Sequence, residues 1–139
     1  MIEFQNVSFS YENGDHAGQL HNINFTIPDG QVVLLCGESG CGKTTLTRLL
    51  NGLIPNYYEG RLEGRVFIDG KSIVEKPLYE IASLTGSVFQ NPRSQFFAVD
   101  TNSELAFGCE NLGIAENEII ARMKRTVAEL HIETLMDRS

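Results

Sequence analysis

The chain has 139 residues, 42% of them hydrophobic, and a formal net charge of −7. That length amounts to about one domain, and that much apolar material buries a core, which excludes a chain disordered by composition. The acidic balance argues against a nucleic-acid partner, because a general binder of that kind carries a basic surface.

In chain order, Ile2 and Phe4 alternate, and so do Val7, Phe9 and Tyr11. The two sets are out of phase, which predicts a bulge near Gln5-Asn6. Asn13-Gly14 is a turn signal. Ile23, Phe25 and Ile27 alternate again, and Pro28-Asp29-Gly30 is a turn. Residues 1–30 thus read as antiparallel strands. Tyr11 ends the first of them as an ordinary strand aromatic or as a ring offered to a base.

The next stretch is the one on which function turns. It runs Gly37-Glu38-Ser39-Gly40-Cys41-Gly42-Lys43-Thr44-Thr45 and contains the Gly-x-x-x-x-Gly-Lys-Thr phosphate-loop spacing. Residues 32–36 before it form a short apolar run, read as a buried strand. Leu46, Leu49, Leu50 and Leu53 after it form an i, i+3, i+4, i+7 stripe, read as a helix. The glycines let backbone N–H groups turn inward around an anion, and the helix N-terminus adds its positive dipole end. Lys43 brings a cation to the phosphates, and Thr44 offers a hydroxyl to Mg²⁺.

Arg65 to Lys71 read as a strand with an Asp69-Gly70 turn. Its Val66-Phe67-Ile68-Asp69 imitates a metal-holding acid strand, but a glycine follows where an acid is needed. Phe96 to Asp100 imitates it again, also without a following Glu, and Asp100-Thr101 reads better as a helix cap. Residues 87–90 look like a short strand broken by Pro92. It ends on Gln90, whose amide oxygen reaches a metal or water, or is simply a polar terminus. Thr101-Asn102-Ser103-Glu104 has capping-box spacing for a helix through Leu105 and Phe107, and Gly113 closes that unit. Residues 116–130 form an amphipathic helix with Ile119, Ile120, Met123, Val127 and Leu130 on one face.

Cys36, Cys41 and Cys109 fit no Cys-x-x-Cys or Cys/His metal pattern, and their odd number suggests a reducing, intracellular compartment. No apolar run approaches the roughly 20 residues of a membrane helix, and no signal segment opens the chain. Any membrane link therefore runs through a partner.

Taken together, the chain resembles the N-terminal half of an ABC transporter ATP-binding subunit. It is most similar to the ATPases of energy-coupling-factor and cobalt-type importers. Four pieces carry the resemblance: Phe9-Ser10-Tyr11; residues 37–45; Val88-Phe89-Gln90-Asn91-Pro92 with Gln95-Phe96-Phe97; and Glu104-Leu105-Ala106-Phe107-Gly108 with Glu110-Asn111-Leu112-Gly113. It implies an α/β fold with a P-loop NTPase core, an N-terminal antiparallel β subdomain (1–30), a phosphate-loop core (31–90), and a Gln loop with the start of the helical subdomain (91–139). It implies that Tyr11 stacks on adenine, that residues 37–45 hold ATP, and that Thr44 and Gln90 attend Mg²⁺. The expected partners are a second ATP-binding subunit, identical or related, and a transmembrane transporter component, at the cytoplasmic face of the cell membrane.

The family pattern continues with a Leu-Ser-Gly-Gly-Gln-like signature, an acid strand followed by a catalytic Glu, and a switch His. None of these is in the 139 residues. The expectation is a truncated domain that binds ATP, hydrolyses it negligibly alone, and associates through unpaired strand edges. Other P-loop enzymes, such as a small-molecule kinase, and a non-hydrolysing nucleotide-binding module are the alternatives.

Overall fold

The computed structural model describes residues 1–12 and 17–136. The expected Asn13-Gly14 turn lies outside them. Two compact units divide the chain, Met1–Ser87 and Val88–Ser139.

In the first unit, strands at Ile2–Tyr11 (β1), Leu20–Ile27 (β2), Gly60–Ile68 (β3) and Lys71–Ser72 (β4) form one antiparallel sheet, in the order β2-β1-β3-β4. The bulge predicted near Gln5-Asn6 is present. Pairing of β1 slips between Phe4 and Val7 against β2, and between Gln5 and Ser8 against β3. Asn6 takes φ 50°, and its N–H donates to Asn24 Oδ1 at 2.8 Å. The slip restores the phase, so Phe4, Val7 and Phe9 all reach the core. Gly64 of β3 has φ 86° and lies against the bulge, where a Cβ would meet the Asn6 and Gln5 carbonyls.

The core adds Leu20, Val66, Ile68 and Ile73 from the sheet side. Helices at Lys43–Leu50 (α1) and Leu78–Ala82 (α3), with the short, kinked Leu53–Asn56 (α2) between them, contribute Leu49, Ile54 and Ile81. The leucine stripe predicted one helix through Leu53. Instead α1 ends at Leu50, because Gly52 turns left-handed at φ 75° in close contact with Ile81. The Asp69-Gly70 turn is as expected. Asp69 spends its carboxylate on the Met1 amine at 2.5 Å, which holds it below the usual carboxylate range.

Two expected strands are corrected. Residues 32–36 are not a buried strand: Val32 is 101% exposed and Leu34 84%. Residues 87–90 are likewise irregular, and Val88 is exposed. A buried strand needs neighbours for its N–H and C=O groups. Among the described residues, no strand pairs with either run.

The second unit holds a 3₁₀ turn at Pro92–Gln95 and helices at Thr101–Asn111 (α4) and Glu116–Leu130 (α5). Of the expected Asp100-Thr101 cap, Asp100 is the capping residue of α4, and the reciprocal bonds of the Thr101–Glu104 box are replaced. The Asp100 carboxylate accepts from the Ser103 N–H at 2.9 Å and from Ser103 Oγ at 2.8 Å, and Glu104 instead accepts from the Phe97 and Ala98 N–H groups. Ser103 offers Asp100 two donors, so Asp100 takes the capping place. Gly113 turns left-handed after α4, and α5 spans the residues its periodicity predicts. Ile119 and Val127 of its apolar face are buried, while Ile120 and Leu130 stay exposed.

Candidate functional site

The site is built where α1 begins. Its cap residue, Gly42, takes φ 96°, which a side chain would resist, and Leu46 N–H donates to the Gly42 carbonyl as the first intrahelical bond. The N–H groups of Lys43, Thr44 and Thr45 therefore have no intrahelical acceptor. They sit at the positive end of the helix. Gly37 and Gly40 also hold positive φ and carry the loop around this end.

Lys43 folds back into the loop. Its Nζ donates to the Gly37 carbonyl at 2.8 Å and to the Glu38 carbonyl at 2.6 Å, and it lies 3.5 Å from Cys41 Sγ. The loop thus wraps an ammonium with carbonyl oxygens. Glu38, Ser39 and Cys41 are exposed along the loop, and so is the Thr44 side chain. Thr45 differs: it is buried, and its hydroxyl donates to the Gly18 carbonyl at 2.7 Å. Gly18 N–H in turn donates to the Gly40 carbonyl at 2.7 Å. The connection between β1 and β2 thereby underpins the phosphate loop.

Tyr11 reaches the same place. Pairing sets it opposite Gly60 at the end of β1, and its hydroxyl lies 3.1 Å from Thr45 Oγ1. Arg48 Nη1 donates to that hydroxyl at 3.0 Å, and the guanidinium lies 3.8 Å from the centroid of the Tyr58 ring. Phe9 and Tyr58 meet Tyr11 edge to face, at 4.8 and 6.4 Å. Gly18, Arg48 and Tyr58 carry no motif, so sequence reasoning passed over them. The pairing of β1 with the start of β3 is what brings Tyr58 and Tyr11 together.

Gln90 belongs to the second unit, in an exposed bend. It lies within an apolar, solvent-facing segment in which Val88, Phe96, Phe97 and Val99 are largely exposed. Glu104 and a Phe97–Phe107 ring stack at 5.2 Å hold that segment to α4.

Among the described residues, no group of three or more His, Cys, Asp or Glu stands close enough to hold a metal ion. The exposed hydroxyl of Thr44 is a single oxygen of the kind Mg²⁺ takes, which fits a cation that keeps most of its waters. No helix among the described residues is long and apolar enough to cross a membrane.

Comparison with known proteins bears on this arrangement. A family model described as ABC transporter matches residues 20–139. A Treponema denticola protein named as an ABC transporter ATP-binding protein is 48% identical over 139 residues, covering all of this chain and 28% of the relative. A Pyrococcus abyssi protein of the same description is 39% identical over 139 residues, covering all of this chain and 50% of the relative. Among solved structures, CbiO1 from Clostridium perfringens, part of the ABC transporter complex CbiONQ, superposes with a TM-score of 0.80 at 29% identity. That match covers 99% of this chain and 53% of the other.

Proposed function

Because the chain belongs to the ABC transporter family, we propose that it is the nucleotide-binding part of a transport-coupled ATPase of the importer type. Residues 37–45 take the phosphates of ATP, Tyr11 takes the adenine, and Thr44 attends Mg²⁺. The observation that carries this is the loop itself: Lys43 lies wrapped at the N-terminus of α1, 2.6 to 2.8 Å from two loop carbonyls. Its ammonium is placed to exchange those carbonyls for β- and γ-phosphate oxygens, while the first-turn N–H groups bind the same oxygens.

Mg²⁺, when bound, neutralises phosphate charge and orients the terminal phosphoryl group. The chain's own work is to position. The glycines admit the phosphates, Lys43 offsets their charge, and Thr44, exposed in the first turn of α1, offers its hydroxyl. Water activation needs a base set beside the terminal phosphate. The 139 residues carry no acid strand followed by a second acid, so we infer that they bind ATP without turning it over alone.

The exposed apolar segment at residues 88–99 supports docking to a transmembrane component, since patches of that kind mark interaction sites. The proposed setting is the cytoplasmic face of the membrane, paired with a second ATP-binding subunit, identical or related. The likeness to CbiO1, part of the ABC transporter complex CbiONQ, supports a place in a transporter complex, and the sequence resemblance adds the cobalt or energy-coupling importer type to the proposal.

The test is a titration with a fluorescent ATP analogue in Mg²⁺, read by anisotropy, for the wild type and Lys43→Ala. Saturable binding that weakens about 100-fold in the variant is expected, since charge-assisted bonds to phosphate contribute about 1.5–3 kcal/mol each. Equal binding by both proteins would overturn the assignment of the loop.

A further inference from the structure

We propose that Arg48 is a positioning residue that fixes the Tyr11 ring against the phosphate loop, and so sets how much the base adds to nucleotide binding. This rests on the nucleotide-site reading above and adds to it a residue that contacts neither base nor phosphate.

The argument starts from hydrogen-bond direction. A carbonyl only accepts, so the one proton of Thr45 goes to Gly18 O at 2.7 Å. The Tyr11 hydroxyl, 3.1 Å from Thr45 Oγ1, must then donate to it. With its own proton spent, that hydroxyl has only lone pairs left, and Arg48 Nη1 fills one at 3.0 Å. The bonds run one way, from Arg48 to Tyr11 to Thr45 to Gly18, and Gly18 N–H passes the link to Gly40 of the loop at 2.7 Å. Such chains polarise one another, and the cation at the head strengthens every bond below it.

Arg48 is itself held. Its guanidinium packs on the Tyr58 ring, and that ring meets Tyr11 at an interplanar angle of 86°. Arg48 also rides on α1, four residues beyond Thr44. One rigid helix thus presents the phosphate-binding N–H groups at its start and the anchor of the aromatic a turn later. A ring fixed in advance costs less ordering entropy when a base stacks on it.

The experiment compares two probes on the full chain, MgATP and inorganic tripolyphosphate with Mg²⁺, by calorimetry. For Arg48→Ala, ATP affinity should fall about tenfold while tripolyphosphate affinity stays within about twofold, and Arg48→Lys should recover most of the loss. Tyr11→Phe keeps the ring, removes the anchor point, and should reproduce the ATP-specific loss. It decides the matter if Arg48→Ala does not fold. Equal losses for both probes would make Arg48 a support of the loop alone and overturn the inference. So would ATP binding unchanged in Tyr11→Phe or in folded Arg48→Ala. If the wild type binds neither probe, the nucleotide-site reading falls and this inference with it. If it binds both and only the variant pattern fails, the site stands without Arg48.

Discussion

Replacing Gly64 by alanine should destabilise the first unit far more than replacing Gly70, although both residues have left-handed backbones. Their φ values are 86° and 72°. Forcing a side chain into that region costs about 1 kcal/mol at either position. At Gly70 nothing lies within 4 Å of the added Cβ. At Gly64 the Cβ would come 2.6 Å from Gln5 O and nearer still to Asn6 O. Those are backbone atoms of the β1 bulge, which cannot retreat without losing the Asn6–Asn24 bond and neighbouring ladder bonds, at about 1 kcal/mol each. The expected penalties are about 3 kcal/mol for Gly64→Ala and about 1 kcal/mol for Gly70→Ala. Urea unfolding followed by circular dichroism reads both as midpoint shifts multiplied by m. Equal shifts would show that Gly64 is needed for its backbone angle alone, and that the bulge does not press on β3.

The remaining predictions concern α4, the exposed apolar run and the Thr45 hydroxyl. Hydrogen bonds from the Ser103 N–H and Oγ hold Asp100 below the ordinary carboxylate range. A depressed folded-state pKa stabilises above the unfolded value, about 3.9, and that stabilisation is lost as pH falls through the folded one. Asp100→Asn should therefore keep the cap and flatten the acid limb of the stability profile, whereas Asp100→Ala should lower α4 helicity at neutral pH; an unchanged acid limb in Asp100→Asn would contradict this. Val32 and Leu34, 101% and 84% exposed, should drive concentration-dependent association, and Val32→Asp with Leu34→Asp should suppress it in sedimentation velocity; a wild type monomeric throughout would count against this. Thr45→Val keeps the shape but leaves Gly18 O without its donor, so it should cost about 1–3 kcal/mol in chemical denaturation, and a neutral result would dismiss the Thr45–Gly18 bond as a stabiliser.

What could be read ahead of the structure was whatever local physics decides. The phase slip between Phe4 and Val7 placed the bulge, because one extra residue is the only way to keep both on the core face. The periodicity of α5 gave its limits, and Asp69-Gly70 gave a hairpin, because turn chemistry needs no distant partner. The glycine turns ahead of α1 were legible for the same reason: the glycines and Lys43 act within a few residues of one another. Residues 32–36 show the opposite case. An apolar run states a preference for burial, but a strand also needs a neighbour, which the run does not encode. Tyr58 and Arg48 were illegible for a related reason. They matter only after β1 pairs with β3 and α1 docks beside the Tyr11 end of the sheet.

The most direct test of the account is amide hydrogen exchange across residues 37–46, with and without MgATP. The N–H groups of the loop and of the first turn of α1 are the proposed phosphate ligands, so their exchange should slow strongly on adding nucleotide. Lys43→Ala should abolish the effect while leaving the exchange of β1 and β3 unchanged. Unaltered exchange at saturating MgATP would contradict the claim that this loop is where the nucleotide sits.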